Sequence, residues 1–128
     1  DAIKSNFSKY RRGINIQNSK IRKPTGIELT SQRTGIVAVF MHKGGPQEPA
    51  KMTLYANGHI NSLDSPATWS RFGNRLTLRW PTKGAPGGVW IDSCKLSPDG
   101  KTFNGVNQSG YAIHGWHVSG DIFSQKSF

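Results

Sequence analysis

The sequence predicts an all-β fold, an antiparallel up-and-down meander closed into a small barrel, with a two-layer β-sandwich as the alternative. Three observations predict it. Turn signals recur roughly every 8 to 12 residues, Gly and Pro occur 15 and 7 times in 128 residues, and no stretch has the period of a long amphipathic helix. The length is that of one domain, residues 1–128. Closure into a barrel removes the edge strands that a small sheet otherwise has to protect.

Residues 1–34 are predicted to form a basic arm or edge strand that leads into the rest of the domain. The cations of this segment are opposed only by Asp1 and Glu28. They are Lys4, Lys9, Arg11, Arg12, Lys20, Arg22, Lys23 and Arg33. Ile14 and Ile16, on either side of one polar residue, give a weak strand signal.

The remaining chain contains a series of segments with the alternation, or the β-branched and aromatic content, that is typical of strands. They are residues 35–42, 51–56, 59–63, 67–72, 75–80, 89–96, 101–106 and 111–118. The clearest alternation lies in the fifth segment, where Leu76, Leu78 and Trp80 share one face. We expect these three side chains to point into the core.

Turn residues separate these segments and indicate how they connect. Asn-Gly at 57–58 predicts a two-residue type I′ turn, in which both central residues have φ > 0. Gly-Asn at 73–74 predicts a second hairpin, and Pro-Asp-Gly at 98–100 predicts a further turn. Hairpin therefore follows hairpin, as an antiparallel meander requires.

The stretch 52–116 carries this hairpin pattern in three blocks. They are LYANGHI, ATWSRFGNRLTLRW and WIDSCKLSPDGKTFNGVNQSGYAIHG. The pattern resembles the up-and-down hairpins of small calycin-like barrels, the avidin-like and lipocalin-like proteins. It is also similar to β-domains attached to secreted bacterial polysaccharide-processing enzymes. The resemblance implies an architecture and no particular ligand, and the N-terminal G-x-W motif of lipocalins is missing.

The charge of the chain indicates the kind of partner. The formal net charge is +10, from 17 Lys and Arg against 7 Asp and Glu. Such a field attracts polyanions, here acidic polysaccharide or nucleic acid. No apolar run approaches the roughly 20 residues of a membrane span. The first residue is Asp1, which fits a removed leader or one domain of a longer chain, and we expect a secreted protein.

Neither a disulfide framework nor a cofactor is predicted. Cys94 is the single cysteine, and the closely spaced Cys and His ligands of a structural zinc site are absent from the sequence. His114 and His117 would face opposite sides of one strand, which makes them poor joint metal ligands.

Aromatic residues near the predicted strand ends are the first ligand-binding candidates. We single out Trp90, Trp116 and Tyr111, because flat aromatic faces stack on sugar rings and on bases. Alternation places Trp90 on a mixed face with Asp92, and Trp116 on a face with His114. Core packing is the competing role for each tryptophan.

Two polar groups complete the predicted ligand site. Arg75 and Arg79 share one strand face, where guanidinium groups can bind carboxylate, sulfate or phosphate, or simply face solvent. Asn104, Asn107 and Gln108 belong to an amide-rich loop. Amides provide the paired donors and acceptors that suit sugar hydroxyls, although Asn is also a usual turn residue.

The sequence favours binding over catalysis, and no catalytic residue is assigned. The common nucleophile-elbow, phosphate-loop and zinc-protease motifs are missing. The histidines His42, His59, His114 and His117 remain acid–base candidates, with His42 and His59 as one pair to consider. We therefore predict a non-catalytic carbohydrate-binding module or lectin that prefers acidic polysaccharide. The alternatives are a basic nucleic-acid-binding or ribonuclease-type domain and a barrel that binds a small apolar ligand.

Overall fold

The computed structural model describes residues 35–125, which form seven antiparallel strands in one nearly closed, barrel-like sheet. The strands are β1 (Ile36–Gly44), β2 (Ala50–Tyr55), β3 (Thr68–Phe72), β4 (Arg75–Pro81), β5 (Val89–Leu96), β6 (Thr102–Asn107) and β7 (Ala112–Gly120). Short 3₁₀ turns span Pro86–Gly88 and Ile122–Ser124. The predicted all-β barrel is confirmed over the described residues. The predicted basic arm or edge strand, residues 1–34, lies outside them.

The strands follow one another around the barrel in chain order. Their order in the sheet is β2-β1-β7-β6-β5-β4-β3, so β1 pairs with β2 on one side and with β7 on the other. The two ends of the sheet approach each other through a short segment between β2 and β3. In it, Ile60 bridges to Leu54 of β2 and His59 bridges to Thr68 of β3, both antiparallel. The path is therefore an up-and-down meander.

The strand predicted at 59–63 is much shorter than expected. Only His59 and Ile60 make strand bridges, because Asn61 adopts a positive φ of 73° and turns the chain out of the sheet. Asn61 still pairs with β2. Its backbone N–H donates to the Thr53 carbonyl at 2.7 Å, and its side-chain Oδ1 accepts from the Thr53 N–H at 2.9 Å.

The Asn57-Gly58 turn also differs from the type I′ prediction. Gly58 has a positive φ of 93°, whereas Asn57 does not have one. The Gly58 N–H donates to the Tyr55 carbonyl at 3.0 Å, and the Tyr55 N–H donates to the His59 carbonyl at 3.0 Å. The loop therefore contains the three residues 56–58, a turn closed by a left-handed glycine, which is the next most common hairpin type.

Strand alternation fills the barrel with apolar side chains. The largest fully buried ones are Phe40, Met52, Leu54, Ile60, Leu76, Leu78, Leu96, Phe103, Ile113 and Ile122. At the centre, the rings of Phe40 and Phe103 meet edge to face with 5.3 Å between their centroids. Gly115 of β7 lies directly against Phe103, and a Cβ atom at this position would lie 2.0 Å from the ring. The aromatic ring therefore fills the volume that a larger residue at 115 would need.

One end of the barrel is closed by the segment after β7. Ile122 is buried in the core, and the Asp121 N–H donates to the Val37 carbonyl at 3.1 Å. Arg71 of β3 is buried here, whereas Arg75 and Arg79 of β4 are exposed. Its guanidinium donates to the Gly73 and Gln125 carbonyls and lies 5.1 Å from the centroid of the Phe123 ring.

Among residues 35–125 there is no helix with the length and hydropathy needed to cross a bilayer.

Replacing Gly115 by Ala should destabilise the barrel by about 1–3 kcal/mol, because the new methyl group overpacks the space that Phe103 occupies. Urea denaturation followed by tryptophan fluorescence would measure the loss. Gly84→Ala is the matched control, since a Cβ at position 84 meets nothing within 4 Å. Equal unfolding midpoints for the two variants would contradict the packing described for Gly115.

Candidate ligand-binding site

A pocket opens at the end of the barrel opposite the buried Ile122. At this mouth β1, β4 and β6 end and β2, β5 and β7 begin. The cavity, which we call the mouth pocket, has a volume of about 400 Å³. Its walls are aromatic (Trp80, Trp90, Tyr111), polar (His42, Gln47, Asn61, Asp92, Asn107) and small or apolar (Gly44, Pro46, Ala50, Ile113). A volume of this size is within the range of small-molecule sites.

Asp92 is the buried carboxylate of the mouth pocket. It lies on β5 at an inward position, between Trp90 and Cys94 in the alternation, and is only 2% exposed. Its Oδ2 accepts hydrogen bonds from Trp80 Nε1 at 2.9 Å and from His42 Nε2 at 2.8 Å. Its Oδ1 accepts none from the described residues. Because Asp92 lines the mouth pocket and Oδ1 is not among the buried atoms without a partner, Oδ1 is open to a hydrogen-bond donor that enters the pocket.

The partners of Asp92 also pack against each other. The rings of His42 and Trp80 lie 5.0 Å apart between centroids, tilted by 48°. Trp80 is half-buried and packs against the core, as its alternation with Leu76 and Leu78 predicts, and it also forms part of the pocket wall. Packing and hydrogen bonding together hold the indole and the imidazole beside the carboxylate.

Trp90 and Tyr111 form the outer wall of the mouth pocket. Trp90 pairs in register with Trp80 across β4 and β5. Its ring centroid lies 6.3 Å from that of Tyr111, with 56° between the ring planes. Tyr111 is 51% exposed, so this part of the wall is open to a ligand from solvent.

The two amides of the 107–110 turn have different roles. Asn107 lines the pocket, and its Oδ1 accepts from the Ser109 and Tyr111 N–H groups at 2.9 and 3.1 Å. Gln108 is used within the fold, because its Oε1 accepts from the Ile91 N–H at 2.8 Å and its Nε2 donates to the Val89 carbonyl at 2.6 Å. Asn107 therefore both stabilises the turn and lines the pocket, while Gln108 stabilises the start of β5.

The other predicted site residues lie on the outer surface of the barrel. Arg75 and Arg79 are exposed on the outer face of β4, Asn104 on that of β6 and Trp116 on that of β7. None of these four side chains lines the mouth pocket. The residues that the sequence suggested as one site thus divide between two surfaces on opposite sides of the sheet.

The four histidines have separate hydrogen-bond partners. His42 bonds to Asp92, His59 Nδ1 to the Ser65 carbonyl at 2.7 Å, and His117 Nε2 to the Gly120 carbonyl at 2.6 Å. His114 bonds to the Asn104 side chain. The structure therefore does not bring His42 and His59 together through a hydrogen bond. Within residues 35–125, no group of three His, Cys, Asp or Glu side chains is placed to hold a metal ion.

Sequence reasoning did not select Asp92, Gln47 or Asn61, and it considered His42 only as an acid–base candidate. One signal pointed to Asp92. A carboxylate at an inward position of a strand, two residues from a tryptophan, is unusual in an apolar core and often marks a site. Gln47 and Asn61 had no such signal, because they lie in connecting segments whose position depends on the closed barrel.

Comparisons with known proteins give no relative for this chain. No protein-family model matches it, and no curated protein or solved structure matches it significantly. The nearly closed antiparallel barrel is compatible with a calycin-like fold.

Cys94, the next inward residue after Asp92 on β5, should be unreactive in the native protein. Burial, with a smaller contribution from the Asp92 charge, raises the pKa of its thiol from 9.0 to about 12. At pH 8 a thiol reagent should label Cys94 only after denaturation, because the thiolate is the reactive form. Rapid labelling of the native protein would contradict its placement in the core.

The same pKa shift predicts a dependence of stability on pH. The thiol ionises near pH 9 in the unfolded chain and only near pH 12 in the folded barrel. Its stabilising contribution is therefore complete below pH 9 and is lost as the pH rises toward 12. The decline in unfolding free energy over this interval should be smaller in a Cys94→Ala variant, which lacks the titrating group.

Replacing Asp92 by Ala should destabilise the barrel by about 1–3 kcal/mol for each donor left unpaired, because Trp80 Nε1 and His42 Nε2 lose their acceptor. Asp92→Asn keeps an acceptor oxygen and should lose much less. Urea denaturation of both variants would measure the difference. An Ala variant as stable as the original protein would show that these hydrogen bonds do not hold the site together.

Proposed function

We propose that this domain is a non-catalytic carbohydrate-binding module and that the mouth pocket binds one sugar residue of the glycan. The observation that carries the proposal is the arrangement of Trp80, Trp90 and Tyr111 around the unpartnered Oδ1 of Asp92. Aromatic faces and a hydrogen-bonding acceptor in one cavity match the two kinds of surface that a sugar presents.

The chemistry of each wall supports a sugar. The C–H face of a pyranose packs on a flat indole or phenol ring, such as Trp90 or Tyr111. A hydroxyl group donates to Asp92 Oδ1 and relieves the cost of the buried charge. Asn61 and Asn107 contribute amide groups, which can donate to and accept from neighbouring hydroxyls. The resemblance to calycin-like barrels supports the same location, because barrels of this size hold a small ligand at the mouth.

The carboxylate content of the pocket supports binding rather than hydrolysis. Glycoside hydrolases generally use two carboxylates on either side of the scissile bond. Asp92 is the one carboxylate among the described residues that line the pocket, and its Oδ2 is already committed to Trp80 and His42. The arrangement is that of a fixed hydrogen-bonding group.

The pocket also indicates the charge of the sugar residue that it accepts. No Lys or Arg is among the described residues that line it, and Asp92 would repel a uronate or sulfate group at close range. The residue in the pocket is therefore neutral. The preference for an acidic polysaccharide comes from charged groups elsewhere on the protein. A purely apolar ligand is less suitable, because it would leave Asp92 Oδ1 without a donor.

Binding of short neutral oligosaccharides, measured by calorimetry or by NMR titration, tests this proposal. Trp90→Ala should weaken binding by roughly 5- to 150-fold, since loss of one stacked ring costs about 1–3 kcal/mol. Asp92→Asn should also weaken it, because a charged acceptor makes the stronger hydrogen bond. Phe72→Ala is the matched control, because this aromatic residue is 77% exposed on β3 and does not line the mouth pocket, so its removal should leave oligosaccharide binding unchanged.

Three results would overturn the proposal. The first is that no oligosaccharide binds. The second is that apolar ligands bind equally well to the original protein and to Asp92→Asn. The third is cleavage of single-stranded RNA that is lost in His42→Gln, which would assign the pocket to a ribonuclease.

A further inference from the structure

The outer surface of the barrel carries a row of polar and basic side chains that crosses five neighbouring strands. In register they are Arg75 on β4, Lys95 on β5, Asn104 on β6, His114 on β7 and Lys43 on β1. Each is at an outward position, because its neighbours along the strand point into the barrel. With strands about 4.8 Å apart, the row follows the curved surface for about 19 Å, across five of the seven strands of the barrel.

A second row lies beside the first and adds an aromatic residue and a further cation. It contains Thr102 on β6, Trp116 on β7, Met41 on β1 and Lys51 on β2, again in register. Trp116 is 42% exposed. We call the two rows together the outer basic face. Its cations are Lys43, Lys51, Arg75 and Lys95, with Trp116 between them.

These cations have no anionic partner within the described residues. The one ion pair found between described side chains joins His42 and Asp92 inside the barrel. Two exposed carboxylates are used in local turns. Asp99 accepts from Ser97 and Lys101 in its own turn, and Asp121 caps the 3₁₀ turn that follows β7. Lys43 Nζ donates to the Gly45 carbonyl at 2.6 Å, a neutral acceptor that leaves its charge unbalanced. The positive charge of the outer basic face is therefore available to an external anion.

Local hydrogen bonding also orders the centre of the first row. His114 Nδ1 and Asn104 Oδ1 are hydrogen-bonded across β6 and β7. This bond uses the amide oxygen of Asn104 and leaves its Nδ2 as a donor. A donor placed between Lys95 and His114 matches the acceptor oxygens of an anionic chain.

We propose that the outer basic face binds an acidic polysaccharide, a chain of sulfated or uronate sugars that follows the curved surface of the barrel across the strands, with one sugar ring against Trp116. The site is separate from the mouth pocket, because the two lie on opposite sides of the sheet. Acidic groups are bound by the four cations, with Arg75 able to form a bidentate pair. Trp116 supplies a stacking contact that salt does not screen.

The observations favour a polysaccharide over a single-stranded nucleic acid. Sequence-independent nucleic-acid surfaces combine cations with several aromatic rings, on which successive bases stack. Along the outer basic face, Trp116 is the one Trp, Tyr or Phe in the two described rows, and the His114 imidazole is hydrogen-bonded to Asn104. Charge matching with one stacked ring fits an acidic glycan.

Heparin binding by the full chain, measured at a series of salt concentrations, tests the proposal. Four ionic contacts should make affinity fall on the order of 50- to 150-fold between about 50 and 200 mM salt. In Arg75→Ala/Lys95→Ala, the slope of log affinity against log salt should fall by roughly 1.5, at about 0.7–0.9 per contact. Trp116→Ala should lower the affinity that remains at high salt and leave the slope unchanged.

Arg79→Ala/Lys83→Ala is the matched control. It removes the same charge, but Arg79 lies four residues along β4 from Arg75, about 13 Å toward the mouth, and Lys83 lies in the following loop. The control should keep the slope of the original protein. This result would distinguish binding at the outer basic face from non-specific attraction by the other cations of the chain. Thermal melting of each variant confirms that it folds.

Three outcomes would overturn the proposal. Equal slopes for the two double variants would show that charge acts without a defined site. Equal affinity for heparin and for neutral dextran would show that ionic contacts do not contribute to binding. Single-stranded RNA bound more tightly than heparin, with loss in Arg75→Ala/Lys95→Ala, would assign the face to nucleic acid. Because Trp90→Ala and Asp92→Asn leave the outer basic face intact, failure of the mouth-pocket proposal would be seen independently.

Discussion

Closure of the sheet is the constraint on which the rest of this structure depends. β1 pairs with β2 and with β7, so the first and last strands of the described region meet and the sheet acquires an inside and an outside. Alternation then assigns each side chain to one of two environments. The apolar residues fill the inside, Phe103 occupies the space beside Gly115, and the segment around Ile122 covers one end. The opposite end is left as the opening in which a ligand can be held.

A carboxylate inside such a barrel is tolerated only where its hydrogen bonds are made. Asp92 meets this requirement through donors on two other strands, Trp80 on β4 and His42 on β1. The same contacts orient the indole and the imidazole, so the polar group that is hardest to bury also organises the pocket around itself. The hydrogen bonds to Oδ2 therefore make the carboxylate, the indole and the imidazole a rigid group, while Oδ1 stays available to a ligand. Rigidity suits a binding site, because less entropy is lost when the ligand arrives.

The two faces of one sheet offer two chemically different surfaces. The inward face at the mouth carries aromatic rings, amides and one anion, which suit a neutral sugar residue. The outward face carries unpaired cations and Trp116, which suit the acidic groups of a longer chain. One polysaccharide containing both kinds of residue could contact both surfaces, with affinity gained from their effective concentration. Electrostatic attraction to the outer basic face would raise the rate of encounter, while contacts in the mouth pocket would slow dissociation.

The local features of the fold follow from the sequence, because alternation and turn residues act over a few positions. The order of the strands as hairpins, the inward face of Leu76 and Leu78 and the outward face of Arg75 and Arg79 were all predictable in this way. The short strand after Gly58 was not, since the left-handed Asn61 that ends it pairs with Thr53 of β2. The site required the tertiary structure for the same reason. Asp92 lies 12 residues from Trp80 and 50 from His42, and only closure of the barrel brings these three residues, and the ends of six strands, to one mouth.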